Sequence, residues 1–176
     1  MNITIADRNS DAEALAKLFV ANLHANYISH SELQGSRALA PAQWAPNIEE
    51  ILLGEIRMRL GEPLLGFPRD RSWLGIIQAY EGGTLIGLAY VGLRADAPRP
   101  FGVVEDIVID VKRRAAGLGE ELMCWILDRF AEVGIRRTFL ESGDGNESAH
   151  KLFEHLGFKK VSIVMMRDGG LPKLYF

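Results

Sequence analysis

The stretch Val103-Val-Glu-Asp-Ile-Val-Ile-Asp-Val-Lys-Arg-Arg-Ala-Ala-Gly-Leu-Gly-Glu-Glu-Leu122 decides the fold. Val103 to Val111 is dense in Val and Ile and predicts a central strand. Lys112 to Leu118 is a connector carrying Gly117. A helix follows to about Val133, because Leu118, Leu122, Trp125, Ile126, Phe130 and Val133 recur on one side, and Gly134 is a good stop. Glycines just before a helix let the backbone approach a ligand closely. The first N–H groups of that helix have no intrahelical acceptor and attract anions, most often phosphate, and the macrodipole reinforces the attraction. Lys112, Arg113 and Arg114 add side-chain charge nearby. A Walker loop would need Gly-Lys-Ser/Thr after the glycines, but Glu120 and Glu121 follow Gly119. A Rossmann fingerprint would need Gly or Ala where Leu122 stands. These residues alone leave open both a phosphate-binding turn of another kind and a helix start that merely uses glycines.

The flanking chain supplies the rest of the order. Asn2 to Ala6 predicts a first strand. Ser10 or Asp11 caps a helix bearing Ala12, Leu15, Ala16, Phe19 and Leu23 on one face. From Tyr27 to Pro46 the pattern dissolves among Ser29, Ser31, Gly35, Pro41 and Pro46. A second helix runs from Asn47 to about Leu60, and Gly61 to Arg71 is a loop. Trp73–Tyr80 and Thr84–Leu93 form a hairpin about Glu81-Gly-Gly83, whose glycines accept positive φ. Arg137–Glu141 is a short strand. Asn146 caps a helix to about Leu156 with Ala149, Leu152, Phe153 and Leu156 as its apolar face. Lys159–Met166 and Lys173–Phe176 close the chain as two strands. The order β-α-α-β-β-β-α-β-α-β-β, without repeat or linker, predicts a single α/β (α+β) domain over residues 1–176.

Composition agrees. A chain of 176 residues with 48% hydrophobic and 24% charged residues suits one globular core. The formal net charge of −3 excludes a generally basic nucleic-acid binder. No apolar run is long enough to span a membrane, and the first residues lack a signal peptide's basic and apolar regions, so a cytoplasmic location is expected. A single cysteine, Cys124, excludes an intrachain disulfide and is read as a packing residue beside Leu122, Met123 and Trp125. The four histidines show no metal spacing, and Gly143-Asp-Gly145 holds too few carboxylates for calcium, so no metal is expected.

Arg114-Ala-Ala-Gly-Leu-Gly119 fits Arg/Gln-x-x-Gly-x-Gly/Ala, and Asn146-Glu-Ser-Ala149 with Leu152-Phe153-Glu-His-Leu-Gly-Phe158 fits Asn-x-x-Ala-x-x-Leu-Tyr-Glu-Lys-Leu-Gly-Phe. In both motifs the chain resembles the GNAT acetyltransferase superfamily, specifically over Val103 to Phe158. The resemblance implies a mixed, mostly antiparallel central sheet flanked by helices on both faces. It implies acetyl-CoA as cosubstrate, with the backbone of Ile107, Val108 and Ile109 pairing the pantetheine arm. The turn Arg114, Ala115, Ala116, Gly117, Leu118, Gly119 and Glu120 would cradle the pyrophosphate. Asn146 would lie near the thiol end, as would Phe153. It further implies direct transfer to an amine of a small molecule or peptide, with homodimers common among relatives.

Direct transfer needs a base for the amine proton. Glu105 is the first candidate: Val103 and Ile107 at i±2 share its face in a regular strand and would desolvate it. Asp106 would then face the other way, unless a bulge of the kind family members carry here upsets the alternation. Glu141 is the second, matching the proposed base of the ribosomal-protein alanine acetyltransferases. Phe153 departs from the family pattern, which has a tyrosine able to protonate the thiolate. Either the thiol leaves without an acid, or Tyr80, Tyr90 or Tyr175 substitutes, or the protein is a non-catalytic coenzyme-binding module. Trp44, Tyr27, Phe67 and Trp73, with Glu32, Glu49, Glu50, Glu55 and Glu62, would suit a cationic acceptor.

Overall fold

Pairing of apolar strands that alternate between two faces builds the molecule. In the computed structural model, residues 1–113 and 116–167 are described. The elements are β1 (Asn2–Ile5), α1 (Ala12–Ala21), α2 (His30–Gln34), β2 (Ala38–Ala40), β3 (Gln43–Trp44), α3 (Ile48–Arg59), β4 (Trp73–Glu81), β5 (Thr84–Arg94), β6 (Phe101–Ile109), α4 (Leu118–Glu132), β7 (Thr138–Leu140) and α5 (Glu147–His155). Five strands form one sheet in the order β1-β4-β5-β6-β7. Neighbours are antiparallel except β6 and β7, which run parallel. β2 and β3 form a separate two-stranded ribbon.

Alternation along the strands sends apolar side chains to both faces, so two cores form. On one, Ile77, Ala79, Ala89 and Val91 pack against Leu122, Ile126 and Phe130 of α4 and Phe153 of α5. On the other, Ile76, Leu88 and Tyr90 pack against Leu15 and Phe19 of α1 and Leu52 and Ile56 of α3. Asp11 caps α1, its Oδ1 accepting the Ala14 amide at 2.9 Å, which satisfies one of the otherwise unpaired first-turn donors. Glu49 and Glu50 begin α3 and Arg57 and Arg59 end it, in the sense the helix dipole favours.

The expected mixed, mostly antiparallel sheet with helices on both faces is therefore present, with several local differences. The strand at Val103 begins earlier, at Phe101, and lies second from one edge. The central strand is β5, whose residues Ile86 to Leu93 are all buried; Gly87, Ala89 and Gly92 dilute its β-branched signal. Tyr27 to Pro46 is not irregular throughout, since α2 and the β2–β3 ribbon lie within it. Lys159–Met166 is not a strand. Val161 and Ile163 are both 78% exposed, and the strand expected to pair with this segment, Lys173–Phe176, lies outside the described residues. Cys124 is exposed rather than packed, because the buried stripe of α4 runs through Leu118, Leu122, Met123, Ile126 and Phe130 and misses it. Burial and the nearby Glu120 and Asp128 push its thiol up, away from thiolate chemistry.

Candidate functional site

β7 is shorter than β6. It pairs with β6 only from Gly102 to Val104, and past Val104 no other strand lies on that side of β6 among the described residues. A cleft opens where the two strands part. Val104, Glu105, Asp106 and Ile107 form one wall, and Leu140, Glu141 and Ser142 the other. Asn146, Ala149 and Phe153 of α5 and its N-terminal flank, with Tyr27, Ser29 and Glu32, complete the lining. An unpaired strand edge beside a cleft is a template for an extended ligand.

A bulge sets the chemistry of the β6 wall. Tyr90 faces Asp106 and Val91 faces Val104, so Glu105 is an extra residue without a partner on β5. Val104 and Ile107 belong to the α4 side. Glu105 instead reaches α3 on the other side, where its Oε2 accepts Arg59 Nη2 at 2.6 Å. Asp106 also reaches that other side. The regular alternation that would put Glu105 with Ile107 is thereby broken, and both carboxylates project to one face.

Asp106 is 3% exposed and ends in a buried charge network. The Tyr27 hydroxyl donates to its Oδ1 at 2.7 Å, and Arg37 Nη1 donates to Oδ2 at 3.0 Å. Arg37 also binds Glu55 through Nε at 3.1 Å and Glu32 at 3.4 Å. Its guanidinium lies 5.6 Å from the Phe19 ring and 5.5 Å from the Tyr90 ring. Burial raises the Asp106 carboxyl above its ordinary value, opposed mainly by the Arg37 charge and the Tyr27 hydrogen bond. Arg37 is the residue the sequence reading missed. It sits in the segment without periodicity, and its three carboxylate partners come from α2, α3 and β6.

Glu141 follows β7 on the opposite wall. Its Oε1 lies against Ser29 Oγ, 2.8 Å from His30 Nδ1 and 3.1 Å from the Ser31 amide nitrogen. Gly143, two residues on, touches the same segment: a Cβ there would lie 2.3 Å from the Asn26 carbonyl oxygen. Asn146 occupies the N-cap position of α5, but its side chain makes no capping hydrogen bond. Capping therefore does not account for Asn146, and its amide is left to the cleft it lines. Ser142 Oγ, also in the cleft wall, is buried and unpaired among the described residues.

Phe153 lines the cleft at 6% exposure. None of the described tyrosines makes a good acid beside it. Tyr27 shares the cleft, yet burial first and the Asp106 charge next hold its phenol well above the usual range. Burial likewise raises Tyr90, whose hydroxyl is buried and unpaired. Tyr80 bonds Gln78 on β4 and does not line the cleft. Tyr175 lies outside the described residues.

α4 starts beside the end of β6. Gly117, at φ 75°, is its N-cap and offers no side-chain cap. The amides of Leu118, Gly119 and Glu120 thus have neither an intrahelical acceptor nor a capping side chain, while Glu121 donates to the Gly117 carbonyl at 3.0 Å. A Cβ on Gly119 would sit 3.8 Å from Ile109 Cγ1, so the turn and the last residue of β6 adjoin. Ala116 and Gly117 are exposed, and Arg113 pairs with Glu81 at 2.9 Å. Arg114 and Ala115, expected in this turn, lie outside the described residues. Among the described residues no cluster of His, Cys, Asp and Glu could hold a metal ion, and no helix is long and apolar enough to cross a membrane.

Comparison with known proteins gives this geometry a context. Residues 41–158 match the model of a family described as acetyltransferase (GNAT). A mycothiol acetyltransferase of Thermobispora bispora is 30% identical over 95 residues, 52% of this chain and 32% of that protein. The N-alpha-acetyltransferase RimI of Mycobacterium tuberculosis is 31% identical over 110 residues, 54% of this chain and 67% of that protein. The chain thus spans about a third of the length of the mycothiol acetyltransferase it matches. An aminoglycoside antibiotic 6'-N-acetyltransferase from Acinetobacter haemolyticus shares the fold, with TM-score 0.63 and 17% identity over 97% of this chain and 99% of that one.

Proposed function

The chain belongs to the GNAT acetyltransferase family, and from that premise we propose that it transfers an acetyl group from acetyl-CoA directly to a primary amine of a small molecule or peptide. The observation that carries this reading is the alignment of an open β6 edge, an uncapped α4 N-terminus and a carboxylate-lined cleft along one path. The edge past Val104 offers the backbone groups of Ile107 to the pantetheine amides, as an added strand would use them, while those of Val108 face Leu88 on β5 and back that edge. Ile109 closes that strand against Gly119. The amides of Leu118, Gly119 and Glu120 point at the pyrophosphate, with Ala116 and Gly117 bringing the backbone close. Arg114 and Ala115 would complete that turn. Asn146 lies where its free amide can orient the thioester, and Phe153 gives the acyl end an apolar contact.

Glu105 is the proposed base. It lies on the cleft wall nearest the reacting end of the β6 path, and it takes the ammonium proton directly or through one water. The amine then attacks the thioester carbonyl, the C–N bond forms, the C–S bond breaks, and the second proton of the nitrogen passes to water, which can return it to the released thiolate. The coenzyme thiolate leaves without an acid from Phe153. That is feasible because a free thiol's pKa is only about 8.5. Phe153→Tyr should accordingly raise kcat by no more than about threefold, well short of the ~100-fold a missing general acid would supply. Steady-state thiol release checks this, and a rise of two orders of magnitude would show that leaving-group protonation was limiting.

The acidic walls favour a cationic acceptor. Glu32, Glu105, Asp106 and Glu141 line the cleft, and the described cations paired with them are Arg37 and Arg59. A panel containing a diamine, an aminoglycoside and a peptide with a free N-terminus, read by thiol release, tests catalysis and acceptor together. Turnover with one of them supports the reading. Coenzyme binding with no turnover across the panel would point instead to a binding module.

Coenzyme binding has its own test. Gly117→Val forces a β-branched residue into φ 75° at the N-cap, a conformation costing roughly 1–3 kcal/mol. Acetyl-CoA affinity should fall at least tenfold by calorimetry while ATP and NAD bind neither form. An unchanged Kd would remove the α4 turn from the coenzyme site.

A further inference from the structure

Glu141 stands on the cleft wall opposite Glu105, yet its Oε1 already faces three polar groups of one segment. Ser29 Oγ, His30 Nδ1 at 2.8 Å and the Ser31 amide at 3.1 Å all converge on it. We propose that Glu141 is a positioning residue: its carboxylate seats the segment Ala25–Gln34 as the acceptor-side wall of the cleft, and it does not take the amine proton. The assignment rests on the acetyl-transfer reading above.

A base must offer a lone pair to the proton it removes. Oε1 of Glu141 faces Ser29 Oγ, His30 Nδ1 and the Ser31 amide, so a Glu141 that took up a proton at each turnover would loosen those contacts. The segment in turn needs an outside anchor. α2 has five residues, far below the length at which a helix holds itself in water. Its internal side-chain fastening is at Ser29, whose amide and hydroxyl donate to Glu32 Oε2 at 2.8 and 2.6 Å. The remaining anchors come from elsewhere in the fold. Tyr27 reaches Asp106 before the middle of the segment, and Arg37 holds Glu32 after it. Between those two points Glu141 gathers residues 29 to 31.

The chain beside Glu141 is shaped for the same purpose. A Cβ at Gly143 would lie 2.3 Å from the Asn26 carbonyl and 2.6 Å from the Ile28 carbonyl. Only glycine lets the turn after β7 bring its backbone against the backbone of residues 26 to 28. Glu141 and Gly143 therefore form one seat, polar at the first residue and steric at the third. Ser29, which lines the cleft, sits directly on it, and Tyr27 and Glu32 on either side share that placement with their own anchors. The cleft's acceptor end is thus held by the residue that position alone would nominate as a second base.

Two readouts separate seat from base, and one needs no catalysis. Hydrogen exchange on the full chain without ligand reports the seat. Glu141→Ala should speed exchange of the amides from Ile28 to Leu33 at least about tenfold relative to the α1 amides, and Glu141→Gln, which keeps an oxygen acceptor, should fall between it and the parent. In kinetics with the amine of the panel that turns over fastest, Glu141→Ala should raise the acceptor KM about tenfold or more. The KM for acetyl-CoA should move much less, and the acid limb of the pH–rate profile should persist. The proposal is overturned if Glu141→Gln and Glu141→Ala lose kcat alike, by about two orders of magnitude, with the acid limb gone. It is equally overturned if exchange over Ile28–Leu33 is unchanged in Glu141→Ala. Should no amine turn over, the acetyl-transfer reading fails and exchange alone still decides whether Glu141 seats the segment. If Glu141→Ala does not fold, His30→Ala removes one partner of Glu141 that does not line the cleft, and its exchange over Ile28–Leu33 is read the same way.

Discussion

Replacing Arg37 by Met should cost about 3–5 kcal/mol of stability at pH 8, the penalty for breaking a buried ion network by removing one sign of charge. Arg37 is the cation shared by Asp106, Glu32 and Glu55. Asp106 and Glu32 are 3% and 4% exposed, so water cannot replace the guanidinium. The sign of the pH dependence follows from Asp106. Its folded carboxyl is raised by burial and held down chiefly by Arg37. A raised carboxyl binds its proton more tightly in the folded state than in the unfolded one. The stability linked to that proton is complete below the ordinary aspartate range and is lost as pH rises through the raised folded value. Without Arg37 that value climbs further and the window of loss reaches higher pH. The gap between parent and Arg37→Met in urea unfolding should therefore be large at pH 8 and shrink at pH 5. A gap equal at both pH values would mean that the loss comes from packing on Phe19 and Tyr90 and not from stranded carboxylates. Adding Asp106→Asn to Arg37→Met should recover part of the loss, since the double variant buries one charge fewer.

What the sequence disclosed and what it hid divide along a physical line. Elements fixed by local periodicity were legible: α1, α3, α4 and α5, and the β4–β5 hairpin with positive φ at Gly82 and Gly83, lie within two residues of expectation. The glycine turn was legible because a helix start without a cap is a local feature. The bulge at Glu105 was foreseen only as an alternative, because register against β5 is a property of two strands and not of one. The Arg37 network was invisible for a related reason. Three carboxylates separated from it by 5, 18 and 69 positions meet it only after the chain has folded. Glu141 was found for its position and misjudged in its surroundings, since nothing near it in sequence announces Ser29, His30 or Ser31.

The second large effect is expected at Glu105. Glu105→Gln keeps the shape and removes the proton acceptor, so kcat should fall by about 10²–10⁴, the usual contribution of a positioned base. The parent's kcat/KM should fall on the acid side as the base is protonated, and the variant's profile should lack that limb. Arg59 supplies an internal control. Its Nη2 sits 2.6 Å from Glu105 Oε2, its guanidinium lies 4.6 Å from the Tyr90 ring, and its Nη1 is buried without a partner. Arg59→Met removes the ion pair while leaving a base in place, so the acid limb should persist, which Glu105→Gln cannot allow. The two variants together distinguish a catalytic carboxylate from a structural ion pair. If the Glu105–Arg59 contact served only to hold α3 against the sheet, both variants would lower stability alike, and neither would alter the shape of the pH–rate profile. That result would exclude Glu105 as the base. With Glu141 assigned to seating residues 29 to 31, Asp106 would be the next carboxylate in the cleft to examine. Its burial and its bonds to Tyr27 and Arg37 make it the slower base of the two, because a proton taken there must cross the network that holds it.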